Sequence, residues 1–161
     1  MGEPHQIVVN ISDMKFSTRP DDVIVTFSLG SCLGVTAYDP RRRVGAMMHA
    51  LLPSEASSPE RARKNPFMFV GAGFQAMLAR LEQLGASRRD LVFKMAGGAD
   101  MRGDTLFHTG ERNVEALQRM LREERLRLGG QEVGGTIPRT LYLRMDTGEV
   151  VVKTFGRLRN I

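Results

Sequence analysis

The sequence predicts one α/β domain, spanning residues 1–161, with mostly antiparallel or mixed strands. Three observations predict it. Continuous apolar runs separated by turn signals occupy Val23–Pro53, two stretches repeat apolar residues at helical spacing, and a hairpin signal, Asp146-Thr147-Gly148, lies between two further apolar runs. Repeats, linkers and low-complexity segments are missing from all 161 residues, a length that suits one core.

In chain order, Gln6–Ile11 alternates weakly around Ile7, Val8 and Val9 and reads as a first strand. Ser12–Asp22 is polar and reads as a connection with a loop at Arg19-Pro20-Asp21-Asp22. The next stretch, VIVTFSLGSCLGVTAYDPRRRVGAMMHALLP, supplies up to three strands whose unbroken apolar character suits strands covered on both faces. Ser54–Lys64 reads as an exposed polar loop near whatever that stretch builds, and as a gate for a substrate. Asn65-Pro66 has the form of an N-cap followed by proline in the first turn, and Val70, Phe74, Met77, Leu78, Leu81 and Leu84 continue a helix that Gly85 stops. Leu91–Met95 is a short strand ending in Ala96-Gly97-Gly98-Ala99, where paired glycines call for unusual torsions or close backbone approach. A second helix is expected over Glu111–Leu128, with Val114, Leu117, Leu121 and Leu128 inward and Gly129-Gly130 as its stop. A loop follows over Glu132–Pro138, then the hairpin Thr140–Met145 and Glu149–Thr154, then a short basic tail.

Composition narrows the function classes. The single cysteine excludes an internal disulfide, and no run approaches the roughly 20 apolar residues of a membrane span. A soluble cytoplasmic protein is the expectation, since the N-terminus lacks the basic-then-apolar layout of a secretory signal. The net charge of +5 is carried by clusters such as Arg41–Arg43 and Arg88-Arg89, but the absence of tryptophan and the interleaving of arginine with glutamate argue against a nucleic-acid surface. One cysteine and scattered histidines offer no metal site of recognisable spacing, and Gly97-Gly98 is not followed by the lysine and hydroxyl of a phosphate loop.

Chemistry concentrates in Val23–Pro53. If Leu33–Tyr38 and Val44–Leu52 pair around the Arg41-Arg42 turn, facing residues have numbers summing to 83, so His49 lies opposite Gly34 and Cys32 opposite Leu51. Cys32 and His49 then project from one face a diagonal step apart, about 7–8 Å between backbones. A slip of one residue would separate them onto opposite faces. A thiol needs a base to attack a carbonyl, which His49 can supply, with Thr26 or a nearby backbone carbonyl holding the imidazole tautomer. Backbone N–H groups around Gly30, Ser31 and Cys32 can face an oxyanion. On residue type alone the bland reading stands beside this: a lone cysteine is more often a small buried hydrophobe, and His49 among Met47, Met48, Ala50 and Leu51 fits a satisfied core histidine. His5 and His108 sit in polar terminal and loop contexts, away from this stretch.

The segments VIVTFSLGSCLGVTAYDP, VGAMMHALLP, KMAGGADM and TGERNVEAL, the pair Gly134-Gly135 followed by Arg139, and TGEVVVK stand in one order over Val23–Lys153. In these the chain resembles the CheD family of chemoreceptor glutamine deamidases. The resemblance implies a sandwich of mixed, largely antiparallel β-sheets flanked by outer helices, similar to the catalytic domains of deamidating toxins. It implies a nucleophile at Cys32, a base at His49 and a third member at Thr26, with no cofactor. Chemoreceptor cytoplasmic helices are the implied substrate and a CheC-type phosphatase the implied partner. Two alternatives remain open: a non-catalytic module that binds and regulates such a phosphatase, and a hydrolase acting on glutamate methyl esters of the same receptors.

Overall fold

The computed structural model describes residues 3–101 and 107–161. Its strands are β1 (His5–Val8), β2 (Asp13–Ser17), β3 (Asp22–Leu29), β4 (Leu33–Asp39), β5 (Val44–Ala50), β6 (Val92–Gly97), β7 (Arg127–Val133), β8 (Arg139–Arg144), β9 (Val150–Thr154) and β10 (Arg157–Asn160). The helices are α1 (Pro59–Lys64), α2 (Val70–Gln83) and α3 (Thr109–Glu123). Two five-stranded sheets form, ordered β1-β3-β8-β9-β10 and β2-β5-β4-β6-β7. Only β1 with β3 and β6 with β7 pair in parallel, so the sheets are mixed and largely antiparallel, as the sequence led us to expect.

Two cores explain the layering. In one, Leu33, Val35, Met48, Ala50, Phe93 and Met95 of the second sheet meet Phe74, Met77, Leu81, Leu117 and Leu121 of α2 and α3. In the other, Met47 and Ala96 of that sheet face Ile24, Leu141, Leu143, Val150 and Val152 of the first. The second sheet is thus a middle layer, and β4 and β5 are buried along their whole length. Both long helices cover that one sheet, rather than one on each flank.

The predicted β4–β5 register holds, with Gly34 opposite His49 and Leu33 opposite Ala50. Other expectations need correction. Polar Asp13–Ser17 is a strand rather than a connection: it pairs along β5 at the sheet edge, where one side is open to water and polar residues fit. Ser54–Lys64 is not loop throughout, because α1 closes it. Asn65 caps a single 3-10 turn, Pro66–Met68, accepting from the Phe67 N–H at 3.1 Å, and α2 begins only after extended Phe69.

The second long helix stops at Glu123, five residues before the expected end. Arg125 takes a left-handed φ of 56°, and the chain turns back as β7 beside β6. Gly129 and Gly130 are therefore strand residues. A methyl on Gly129 would sit 2.5 Å from Val92, and one on Gly130 2.8 Å from the Ile161 backbone. The basic tail is also a strand, because Phe155 and Gly156, at φ 47° and 82°, give the two positive torsions of a tight hairpin turn between β9 and β10.

Candidate active site

His49 and Cys32 both lie on the side of the second sheet that faces the first, with no hydrogen bond between them. Along β5, Met48 and Ala50 point to the helices and Met47 to the other sheet, so His49, two residues on from Met47, also crosses toward that sheet. Cys32 belongs to the same inter-sheet core and continues the face of Gly34, the partner of His49. Thr26 comes from the opposing sheet, on the inward face of β3 that carries Ile24. Just beyond it the register with β8 shifts, and Ser28 takes φ 59°. This bulge turns Leu29 inward and sends the chain across to Cys32.

The hydrogen bonds fix the imidazole's protonation. The Thr26 hydroxyl has one proton, which it donates to the Val9 carbonyl at 2.7 Å. Toward Nδ1 of His49, also at 2.7 Å, the same hydroxyl is then an acceptor. Nδ1 therefore carries the ring proton, and Nε2 holds the free lone pair. That Nε2 is buried and has no hydrogen-bond partner among the described residues. Thr26 is 0% exposed and His49 1%, so water cannot substitute for either contact.

Burial sets the charges. It lowers the His49 imidazole to about 4 and raises the Cys32 thiol, whose own backbone N–H pulls weakly the other way. At neutral pH both groups are therefore uncharged. Such a pair, with an orienting hydroxyl behind the imidazole, suits nucleophilic attack on an uncharged carbonyl.

The loop before Cys32 is held by backbone contacts. Gly98 donates to the Cys32 carbonyl and Ala99 to the Gly30 carbonyl, each at 2.9 Å. Gly97, at φ 110°, has no room for a side chain, since a Cβ would lie 2.3 Å from the Cys32 carbonyl oxygen. The glycine pair thus serves close approach to the cysteine itself. Buried Arg139 donates to the Gly134 and Gly97 carbonyls at 2.8 and 3.3 Å and to Glu132 at 2.9 Å, tying the second glycine pair to the first. Outside the strand ladders, the N–H groups of Gly30, Ser31 and Cys32 have no backbone acceptor among the described residues. A cleft of about 620 Å3 reaches this loop at Ser31, between Ala99, Gly110 and Gly134.

Sequence reasoning missed Asn113 and Arg139 as parts of this region. Asn113 is a polar residue on the inward stripe of α3, alongside Val114 and Leu117, and that mismatch is the signal that could have found it. His5 lies elsewhere, bonded to Asp22 at 3.1 Å, whereas His108, just before α3 and 3.8 Å from Glu111, lines the cleft that reaches Ser31. Within the arginine clusters, Arg42 pairs with Asp39 and Asp90, and Arg88 with Glu82 and Glu124. No group of three or more metal-ligating side chains exists among the described residues.

Comparison with known proteins agrees with the motifs. Residues 51–154 match the family model described as CheD chemotactic sensory transduction. A probable chemoreceptor glutamine deamidase CheD of Solibacter usitatus is 36% identical, covering 97% of this chain and 93% of its own length. One of Symbiobacterium thermophilum is 42% identical, covering 92% of each, and one of Pyrococcus abyssi is 40% identical, covering 90% and 89%. Among solved structures, the YfiH protein of Bacillus licheniformis superposes with a TM-score of 0.47 at 12% identity, over 83% of this chain and 60% of that one. With a family model matched over most of its length and relatives aligned nearly end to end, the chain belongs to the CheD family.

Proposed function

We propose that this protein is a chemoreceptor glutamine deamidase, a single-domain enzyme that hydrolyses selected glutamine side chains to glutamate and ammonia through Cys32, His49 and Thr26. The observation that carries the catalytic reading is the Thr26–His49 hydrogen bond, which leaves the imidazole Nε2 bare in the space it shares with Cys32. The substrate class is that of the relatives, which bear the name of chemoreceptor glutamine deamidases.

His49 Nε2 takes the Cys32 proton as the sulfur attacks the carboxamide carbon. The carbonyl oxygen becomes an oxyanion facing the N–H groups of Gly30, Ser31 and Cys32. The C–N bond then breaks, and the imidazolium returns its proton to the departing amine, which leaves as ammonia. A thioester to Cys32 remains. Water attacks it, His49 takes the water's proton, and collapse releases glutamate and restores the thiol. Every proton is handled by groups of the chain, and no cofactor enters.

Burial favours this order of events. A neutral imidazole keeps its lone pair available at neutral pH, and a neutral thiol stays inert until a carbonyl is presented. The reading extends to a cytoplasmic location, consistent with the lack among the described residues of any helix long and apolar enough to cross a membrane. It also extends to a CheC-type phosphatase as a binding partner, which a pull-down tests.

The deciding experiment incubates a chemoreceptor cytoplasmic fragment with the protein and follows amide-to-acid conversion by mass spectrometry. Because Cys32 is the only cysteine, iodoacetamide can be titrated against it. Residual activity is expected to track the unmodified fraction to zero. Turnover by fully alkylated protein, or no conversion by the wild type, refutes the reading.

A further inference from the structure

Asn113 lies in the first turns of α3 and is 0% exposed. Its Nδ2 donates both protons to backbone carbonyls, to Ser31 at 2.9 Å and to Leu51 at 3.2 Å. Ser31 is the residue before Cys32, and Leu51 stands two after His49. One amide therefore bridges the two segments that carry the nucleophile and the base, just past the last β4–β5 pair, Leu33 with Ala50.

The price is visible on the other side of the same group, where Oδ1 is buried with no partner among the described residues. Turning the amide over would aim its oxygen at two carbonyl oxygens, so the donors decide its orientation. A buried acceptor left unmatched is unfavourable, and its presence indicates that the two donated bonds matter more.

The Ser31 contact has a directional consequence. The described peptide bonds are all trans, so the N–H of Cys32 points opposite to the Ser31 carbonyl across one rigid plane. Holding that carbonyl aims that N–H. It lies beside the sulfur of its own residue, where it favours the thiolate, and it belongs to the loop that faces the developing oxyanion.

We propose that Asn113 is a positioning residue: through the Ser31 and Leu51 carbonyls it fixes the Ser31–Cys32 peptide plane and the separation of the cysteine loop from the His49 strand. It touches no reacting atom, because it is sealed from solvent and substrate. The proposal rests on Cys32 and His49 being nucleophile and base.

Its test uses the full chain and two readouts. In Asn113→Ala, kcat on a chemoreceptor fragment is expected to fall ~10²-fold with KM nearly unchanged, the scale of an ångström-sized misplacement. The pH midpoint of Cys32 alkylation by iodoacetamide is expected to rise, since the N–H no longer supports the thiolate. Asn113→Ser, which keeps one donor, is expected to fall between alanine and wild type, and it carries the same comparison if the alanine variant does not fold. A folded variant with wild-type kcat overturns the proposal. So does a loss of kcat with an unmoved alkylation profile, which loosening elsewhere in the core would give. His49→Ala run alongside separates the two levels: if it leaves turnover unchanged, the underlying reading fails. If it abolishes turnover while the Asn113 variants behave as wild type, only the positioning role fails.

Discussion

Replacing Thr26 by valine removes one hydroxyl from the interior and keeps the side chain's shape, so its effect can be worked from two contacts. The hydroxyl donates to the Val9 carbonyl and accepts from His49 Nδ1, both at 2.7 Å and both beyond the reach of water. Valine leaves that carbonyl and that N–H unpartnered, at about 1–3 kcal/mol each, so unfolding free energy should drop by about 2–6 kcal/mol. The catalytic effect follows from the tautomer. With nothing accepting from Nδ1, the ring proton is free to move to Nε2, and the lone pair there is lost. Losing the one bond that selects the productive tautomer, worth about 1–3 kcal/mol, lowers kcat by about one to two orders of magnitude. Ammonia release from a chemoreceptor fragment, measured where circular dichroism shows the variant folded, gives kcat and KM separately. Thr26→Ser should recover most of the loss. A folded Thr26→Val variant with kcat within about twofold of wild type would refute the tautomer argument.

Four further outcomes are expected. The acid limb of kcat/KM should lie near pH 4, because burial holds His49 there, and a limb near 6.5 would mean a solvated imidazole. The same burial makes stability fall with acid: the unfolded chain takes up a proton at about 6.5 that folded His49 refuses until about 4. Stability is thus complete above 6.5 and declines through that window, and His49→Phe should flatten the melting temperature there. Gly97→Ala should cost at least ~2 kcal/mol by chemical denaturation and impair turnover, since its methyl would meet the Cys32 carbonyl from a left-handed backbone. Arg139→Met should lower stability by about 2 kcal/mol in the same denaturation, since it strands the two glycine-loop carbonyls while Glu132 keeps Arg159 at 3.5 Å.

What the sequence revealed and concealed divides along physical lines. The β4–β5 register was legible because two mainly apolar strands around a short arginine turn leave few pairings, and so the shared face of Cys32 and His49 was legible too. The α2 stripe and the role of Gly97-Gly98 were legible for similar local reasons. Thr26 stood in the sequence only as an alternative to a backbone carbonyl, because its contact with His49 depends on how one sheet lies over the other, and the family resemblance was needed to choose it. β2 was concealed by its polar edge position, β10 by a Phe-Gly turn in place of the usual Asn-Gly, and β7 by glycines that resemble a helix stop. Asn113 stood inside a quoted motif, but its two carbonyl partners are distant in sequence and invisible until the chain folds.

The most direct measurement concerns Cys32→Ala. The substitution removes the sulfur without blocking the site, and Cys32 sits in the inter-sheet core with no side-chain hydrogen bond to lose among the described residues, so the protein should stay folded. Incubated with a chemoreceptor fragment that the wild type deamidates, this variant is expected to yield no glutamate above the uncatalysed background. Deamidation by Cys32→Ala at a rate comparable to wild type would contradict the central claim that the sulfur of Cys32 is the nucleophile.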